Sequence, residues 1–546
     1  MEEKIINLED IDLEKEVFKK NKLKKFIFII PSFAFLFTFI IIILSIVLVN
    51  KEGKHIEKKD ENSNNLKNQS KPNNEKNKTN ETDSDSEKNK TDDTEEDPQT
   101  NDTDSDTEID KEEEDDDDDK DNLCIKGEND KCLTCNKDLC GSCNYRFELI
   151  NGKCYPTFSI KAIYETKENN ENITLMFFTY VGYITDMEID GKKVEPINKC
   201  NFKYKGNHSV YISMNITGLD TLFSMFSQID KLTSIYFSKK FDTKNILSLY
   251  GMFFYDKKLI SVDISNFKAD NIKDMDYLFY GCSSLKSIKL PKSNSSNLVI
   301  MDYMFTHCEE LTSIDLSNFN TENVQGLIYL FSDCYKLSTI NISNLNTKNL
   351  INMDRMFYNC ISLKYINLSN LNFTSVKSMG KIFGGCKSLI SVDLSNLNLE
   401  NLKTMDNMFQ DCTSLVNINF KNSKTKYIQS MSHLFDGCSS LLSVDLSMFN
   451  TTSVNDMSYM FHRCNSLVSI DLSKFNTTKV KNMNYFFADC NSLIYLDISN
   501  FKINEDATFL NFFNEIIPSN GNIKLSDSIF GKLKNYIPKG WEIKQI

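Results

Sequence analysis

Residues 467–491 read LVSIDLSKFNTTKVKNMNYFFADCN, and the same phrase recurs along the chain at a fixed spacing. Displacing the chain by 26 residues aligns Cys282, Cys308, Cys334, Cys360, Cys386, Cys412, Cys438, Cys464 and Cys490 in one column. The phenylalanine three positions earlier repeats as strictly, from Phe279 to Phe487. A period between 20 and 50 residues is the signature of a solenoid, in which each unit buries its apolar face only against its neighbours.

Each repeat has two halves. In the first, Ile470 and Leu472 alternate with Ser469, Asp471 and Ser473, the period of a strand with one buried face. In the second, Val454, Met457, Phe461 and Cys464 are spaced 3, 4 and 3 apart, which predicts one face of a helix. Asn450, Thr451 or Thr452 would cap it, since a side-chain oxygen there can accept from an orphan helix N–H. The reading is an α/β solenoid, a leucine-rich-repeat stack of about 11 strand-plus-helix repeats over residues 232–518. Thr217–Gln228 is expected to be the helical half of an incomplete repeat.

The spacing Leu-x-x-Leu-x-Leu resembles a leucine-rich repeat. The fuller phrase, MF-x-x-C-x-S-L-x-x-I-D-L-S-N-F-N-T-x-x-V-x-x-M, resembles the repeat of BspA-like surface proteins. That likeness implies a cell-surface binding role, in attachment to protein or glycan ligands. The departures are local: Asp256 stands in the cysteine column, Lys289-Leu290-Pro291 interrupt a strand, and Ile516 ends the column.

Outside the repeats the texture changes several times. The chain carries a net charge of −13, but residues 50–123 hold 28 acidic residues against 12 lysines, so the remainder is close to neutral. Residues 1–25 form a short polar tail. Residues 26–49 carry no charge, and as a helix of about 36 Å they would span a bilayer core. This run is too long for a signal-peptide core and has no small-residue cleavage site, so it reads as an uncleaved signal-anchor. Lysines before the span, including Lys19, Lys20, Lys22, Lys24 and Lys25, favour a cytoplasmic N-terminus and an extracellular C-terminal domain. Residues 50–123 are too polar to offset the entropy of ordering and read as a disordered acidic stalk.

A cysteine-rich module follows at 124–154, with Cys124, Cys132, Cys135, Cys140, Cys143 and Cys154. An even count beyond a membrane span favours three disulfides, of open connectivity, over zinc, because the two C-x-x-C pairs lie too close together. Its end resembles the small modules of furin-like and growth-factor-receptor-like proteins. Short alternating strands over 155–231 predict a β-rich N-terminal cap, and residues 519–546 a C-terminal one.

No catalytic apparatus is legible. His462 and Cys464 are near in sequence but lack an orienting third group, and no P-loop, nucleophile elbow or zincin motif occurs, so no enzyme, metal or cofactor is expected. The column thiols read as buried small hydrophobes, with Cys200 unassigned. A near-neutral domain without a basic stripe argues against nucleic acid. The polar strand positions are more informative. Asp393, Asp445, Asp471 and Asp497, with Tyr495, mark a possible ligand face for an extracellular protein or glycan. Sequons at Asn172, Asn215, Asn341, Asn367, Asn372, Asn450 and Asn476 are possible glycosylation sites, two of them on that face. The expected function is a cell-surface adhesin or receptor-like protein. A surface-coat spacer without a discrete ligand and a signalling receptor acting through a cytoplasmic partner are the alternatives.

Overall fold

The computed structural model describes residues 157–292, 296–369, 371–514 and 520–546, together with the backbone of four strands between Cys132 and Pro156. The chain divides into two units, Met1–Lys111 and Glu112–Ile546, and every described residue belongs to the second. The tail at 1–25, the apolar span at 26–49 and the stalk at 50–123 lie outside the described residues. Among those described, no helix is long and apolar enough to cross a membrane.

Strands β1 (Cys132–Asn136) and β2 (Leu139–Cys143) pair antiparallel, with Cys132 opposite Cys143 and Cys135 opposite Cys140. Strands β3 (Phe147–Ile150) and β4 (Lys153–Pro156) form a second hairpin. The side chains of the six cysteines in this region, and with them the expected disulfides, fall outside the description.

Residues 160–214 supply β5 (Ile160–Thr166), β6 (Glu171–Thr174), β7 (Ile184–Ile189), β8 (Lys192–Val194), β9 (Lys199–Phe202) and β10 (Gly206–Met214). β10 lies antiparallel between β5 and β7. The outer edge of β5 pairs antiparallel with β11 (Leu232–Phe237), the first strand of the repeats. An antiparallel strand thus takes the backbone groups that the terminal coil would otherwise leave unpaired.

From β11 onward the coils stack in parallel. β11 pairs with β12 (Ser261–Asp263), and β12 with β13 (Ser287–Lys289), each residue opposite its counterpart in the next coil. The same register recurs through the stack to Tyr495–Ile498 at its far end. There Asn522–Leu525 and Glu542–Gln545 add two further parallel strands around a short helix, α1 (Asp527–Leu533). Trp541 is buried against Phe513, with ring centroids 6.3 Å apart, over a glycine at 521 where any Cβ would collide with the indole. A second ladder of eleven parallel bridges runs from Thr221–Ser248 to Asn482–Thr508.

Among the described residues the helix expected in the second half of each repeat is absent, and the repeats form a β-solenoid. The spacing of 3, 4 and 3 does bury Val454, Met457, Phe461 and Cys464, but a run of tight turns places them. Tyr459 and Arg463 both have φ of 57°, and a left-handed residue recurs at matching positions of the other coils. A right-handed helix cannot contain such residues. The backbone bonds show why the turns prevail. His462 N–H donates to Tyr459 O at 3.2 Å and Cys464 N–H to Phe461 O at 3.2 Å, closing turns within the coil. The intervening amides of Tyr459, Phe461 and Arg463 donate to Asn484, Phe486 and Ala488 of the next coil at 2.9–3.0 Å. A helix would have turned all of these inward, leaving coils joined by side chains alone. Thr217–Gln228 departs from its expected helix for the same reason, with Ser224 and Gln228 at φ of 52° and 58°.

The interior is a set of side-chain columns. Phe226, Phe253, Phe279, Phe305, Phe331, Phe357 and their successors stack with centroids 5.4–5.8 Å apart as far as Phe357. Beside them each column cysteine donates its thiol to the carbonyl of a phenylalanine in the preceding coil, as Cys386 does to Phe357 O at 3.0 Å. All nine are free and buried. In the first coil Asp256 replaces the cysteine and accepts from Ile229 N–H at 2.6 Å, and its burial pushes the carboxyl well above the usual range. Phe357→Ala removes one ring from the middle of the stack, and chemical denaturation should show a loss of about 3–5 kcal/mol.

Candidate functional site

On the strand side, most coils, those of Tyr236 and Lys289 excepted, carry at the strand end an aspartate or asparagine that turns the chain. Its side-chain oxygen accepts the N–H two residues on: Ser395 to Asp393 at 2.9 Å, Ser447 to Asp445 at 2.9 Å, Ser473 to Asp471 at 2.8 Å and Ser499 to Asp497 at 3.1 Å. The hydroxyl and amide of Ser447 hold the Asp445 carboxyl below the usual carboxylate range. One oxygen is therefore structural, and what remains for a ligand depends on exposure. Asp445 and Asp471 are exposed, while Asp393 and Tyr495 are half-buried. Asp497 does not belong to an open face. It is 6% exposed because the added strand at Asn522–Leu525 lies against it, and Lys524 pairs with it at 3.2 Å. Burial opposes its ionisation, but bonds from Ser499 and Lys524 keep its carboxyl below the usual range.

The sequons share this turn chemistry. Asn341 and Asn367 accept from both the amide and the hydroxyl of Ser343 and Ser369. Asn215, Asn450 and Asn476 do the same with threonines, and Asn372 accepts from the Thr374 amide. The pattern Asn-x-Ser/Thr is here a turn former, interchangeable with Asp-x-Ser in the same column. Its recurrence is accordingly no independent sign of sugar, although these asparagines, like Asn172, are exposed.

Sequence reasoning missed an apolar row beside the aspartates. Val416, Leu442, Val468 and Ile494 occupy one column in successive coils and are 41%, 50%, 39% and 42% exposed, with half-buried Ile390 before them. In earlier coils the same column holds a lone exposed Ile260 and then Lys286, Thr312, Ser338 and Lys364. Strict alternation with Ile470 assigns Val468 to the core. Instead Leu467 takes the core position, its N–H closing a turn onto Cys464 O, and the corner leaves Val468 facing outward.

On the turn side, four coils bring together a charge cluster. Asp436, nearly buried, contacts His433 Nδ1 at 2.9 Å, His462 Nδ1 at 2.8 Å and Arg463 Nη2 at 2.8 Å. Arg463 reaches on to Asp411 at 3.2 Å past Gly437, where a Cβ would strike the Asp411 carboxylate. His462 Nε2 lies 3.4 Å from Asp489. The ring of His462 is thus committed to two carboxylates, while the Cys464 thiol donates to Phe435 O at 3.2 Å. The two are not brought together. Burial raises the column thiols, Cys386 to about 12, which leaves them poor nucleophiles. Among the described residues no group of His, Cys, Asp and Glu is arranged to hold a metal. Burial disfavours the Asp436 charge, but bonds from His433, His462 and Arg463 outweigh it and hold the carboxyl far below the usual range. Asp436→Ala should cost about 1–3 kcal/mol at pH 7, since it takes the carboxylate from His433 and leaves Arg463 and His462 only the outer carboxylates of Asp411 and Asp489. Because the folded carboxyl is depressed, its contribution is complete above the unfolded value of about 3.9 and fades as pH falls below it, so melting curves of variant and parent should converge in acid.

A family model described as "Mycoplasma protein of unknown function, DUF285" matches residues 219–339, 326–441 and 403–525. No curated protein matches the chain. Among solved structures, similarity extends to a TLR13–ssRNA13 complex at 13% identity, covering 55% of this chain and 52% of that one, with a TM-score of 0.20. This chain therefore spans about half the length of that chain. A leucine-rich repeat protein from Eubacterium ventriosum ATCC 27560 is 16% identical over 51% of this chain and 83% of its own, with a TM-score of 0.24. The functional domain of InlJ from Listeria monocytogenes, which includes a cysteine ladder, is 11% identical over 60% and 77%, with a TM-score of 0.17.

Proposed function

The chain belongs to the family described as "Mycoplasma protein of unknown function, DUF285", and since that description names no activity, we propose from its surface that it is a cell-surface binding protein. The proposal anchors it through residues 26–49, with residues 1–25 cytoplasmic and the repeats outside, held off the membrane by the stalk at 50–123. The cysteines between 124 and 154 would be oxidised there.

The observation that carries the reading is the row Ile390, Val416, Leu442, Val468 and Ile494 beside Asp393, Asp445 and Asp471. Parallel rungs stand about 4.8 Å apart, so five of them present an apolar ridge of about 19 Å with Asp393, Asp445 and Asp471 along one side. Water-exposed aliphatic side chains in register across neighbouring coils are what a protein partner covers, at about 1 kcal/mol for each one here, since half or less of each is still exposed. The partner would match with an apolar strip edged by lysine or arginine. Sugars on Asn341 and Asn367, if attached, would crowd the preceding coils and leave this end open.

Full-length protein in detergent or nanodiscs, titrated over immobilised extracellular matrix and cell-surface proteins, should bind at least one saturably. Leu442→Asp with Val468→Asp should weaken that binding tenfold or more while leaving the melting temperature within a few degrees. Absence of saturation across the panel would favour a spacer, and binding insensitive to the row would move the site elsewhere.

A further inference from the structure

On the flank between the two ladders lies a groove of about 770 Å³ that runs across successive coils from Lys273 to Asn401. Among the described residues no carboxylate lines it. Lys273 and Lys377 stand in one column at opposite ends, both exposed and neither ion-paired among the described residues. Between them that column supplies Val299, Gln325 and Ile351, two small apolar surfaces separated by an amide.

The opposite wall is a ladder of asparagines held still by the backbone. Nδ2 of Asn323 donates to Ser296 O at 2.8 Å, that of Asn349 to Glu322 O at 2.9 Å and that of Asn401 to Thr374 O at 2.7 Å. Each amide is thereby fixed by its donor end; Asn323 Oδ1 also accepts a long bond from Asn349 Nδ2 at 3.5 Å, and with two lone pairs each carbonyl oxygen keeps acceptor capacity for a hydroxyl. The backbone along the lysine column has no such capacity to donate. The amides of Lys273, Val299, Gln325, Ile351 and Lys377 all bond to the preceding coil, at 2.7–3.3 Å. A peptide strand laid along the groove would find no free ladder to pair with. A polyol needs none.

We propose that this groove binds an extended anionic glycan. Its hydroxyls would donate to the asparagine and glutamine side chains, its sugar faces would rest on Val299 and Ile351, and its acid groups would reach Lys273 and Lys377. The site is separate from the apolar row on the strand side and takes a different chemistry, so the two stand or fall apart.

Isothermal titration of the full chain with heparin oligosaccharides, hyaluronan oligosaccharides, neutral dextran and poly-glutamate tests it. Binding of one or both acidic glycans is expected, weakened at least tenfold by Lys273→Gln with Lys377→Gln and reduced by salt, because ion-pair contacts to an exposed groove are screened. Leu442→Asp with Val468→Asp should leave the glycan affinity unchanged. Whether sulfate or carboxylate is preferred will show in the ratio of heparin to hyaluronan. The proposal is overturned if neither acidic glycan binds, if the double lysine variant binds them as tightly as the parent, or if poly-glutamate binds equally well with the same lysine dependence.

Discussion

The bond on which this molecule depends is the backbone hydrogen bond from one coil to the residue one period away. It is made at the strand, at the single bridge on the other flank and at alternate amides around the turns. Its consequence is strict register. Once Ser391 is opposite Asn417, and Thr404 opposite Ser430, every residue lies above its counterpart, and each position of the repeat becomes a column running the length of the stack.

Register makes identical residues neighbours, which selects what each column can hold. Phenylalanine tolerates its own kind, because parallel offset rings at 5.4–5.8 Å pack without voids. Cysteine does so because its thiol turns to a carbonyl of the coil before rather than toward the next thiol. Like charges tolerate it less well, and the buried turn side shows how the fold answers. Asp436 is followed one coil later by His462, with Arg463 and His433 closing around it. The aspartates on the strand side solve the problem differently, by accepting from their own turn and remaining near solvent.

The outer columns are not uniform, and function would lie in that variation. The column that carries lysine, threonine and serine from Lys286 to Lys364 carries isoleucine, valine and leucine from Ile390 on. The asparagine wall and its lysines occupy another flank over an earlier stretch. One scaffold therefore offers two surfaces of opposed character, an acid-edged apolar ridge and, among the described residues, a polar groove without carboxylates.

The period of 26, the parallel strands and the membership of the phenylalanine and cysteine columns were all legible in the sequence, because register makes side-chain chemistry repeat wherever the environment repeats. The kind of backbone in the second half was not. A spacing of 3, 4 and 3 buries the same residues whether a helix or a train of turns carries them, and the choice rests on hydrogen bonds to another coil. Tertiary structure alone also decided that Val468 faces out, that Asp497 is covered by a strand 25 residues on, and that Arg463 reaches Asp411 across a glycine. Each follows from contact between residues distant in sequence or from a corner in the backbone, and a pattern read along a single strand carries neither.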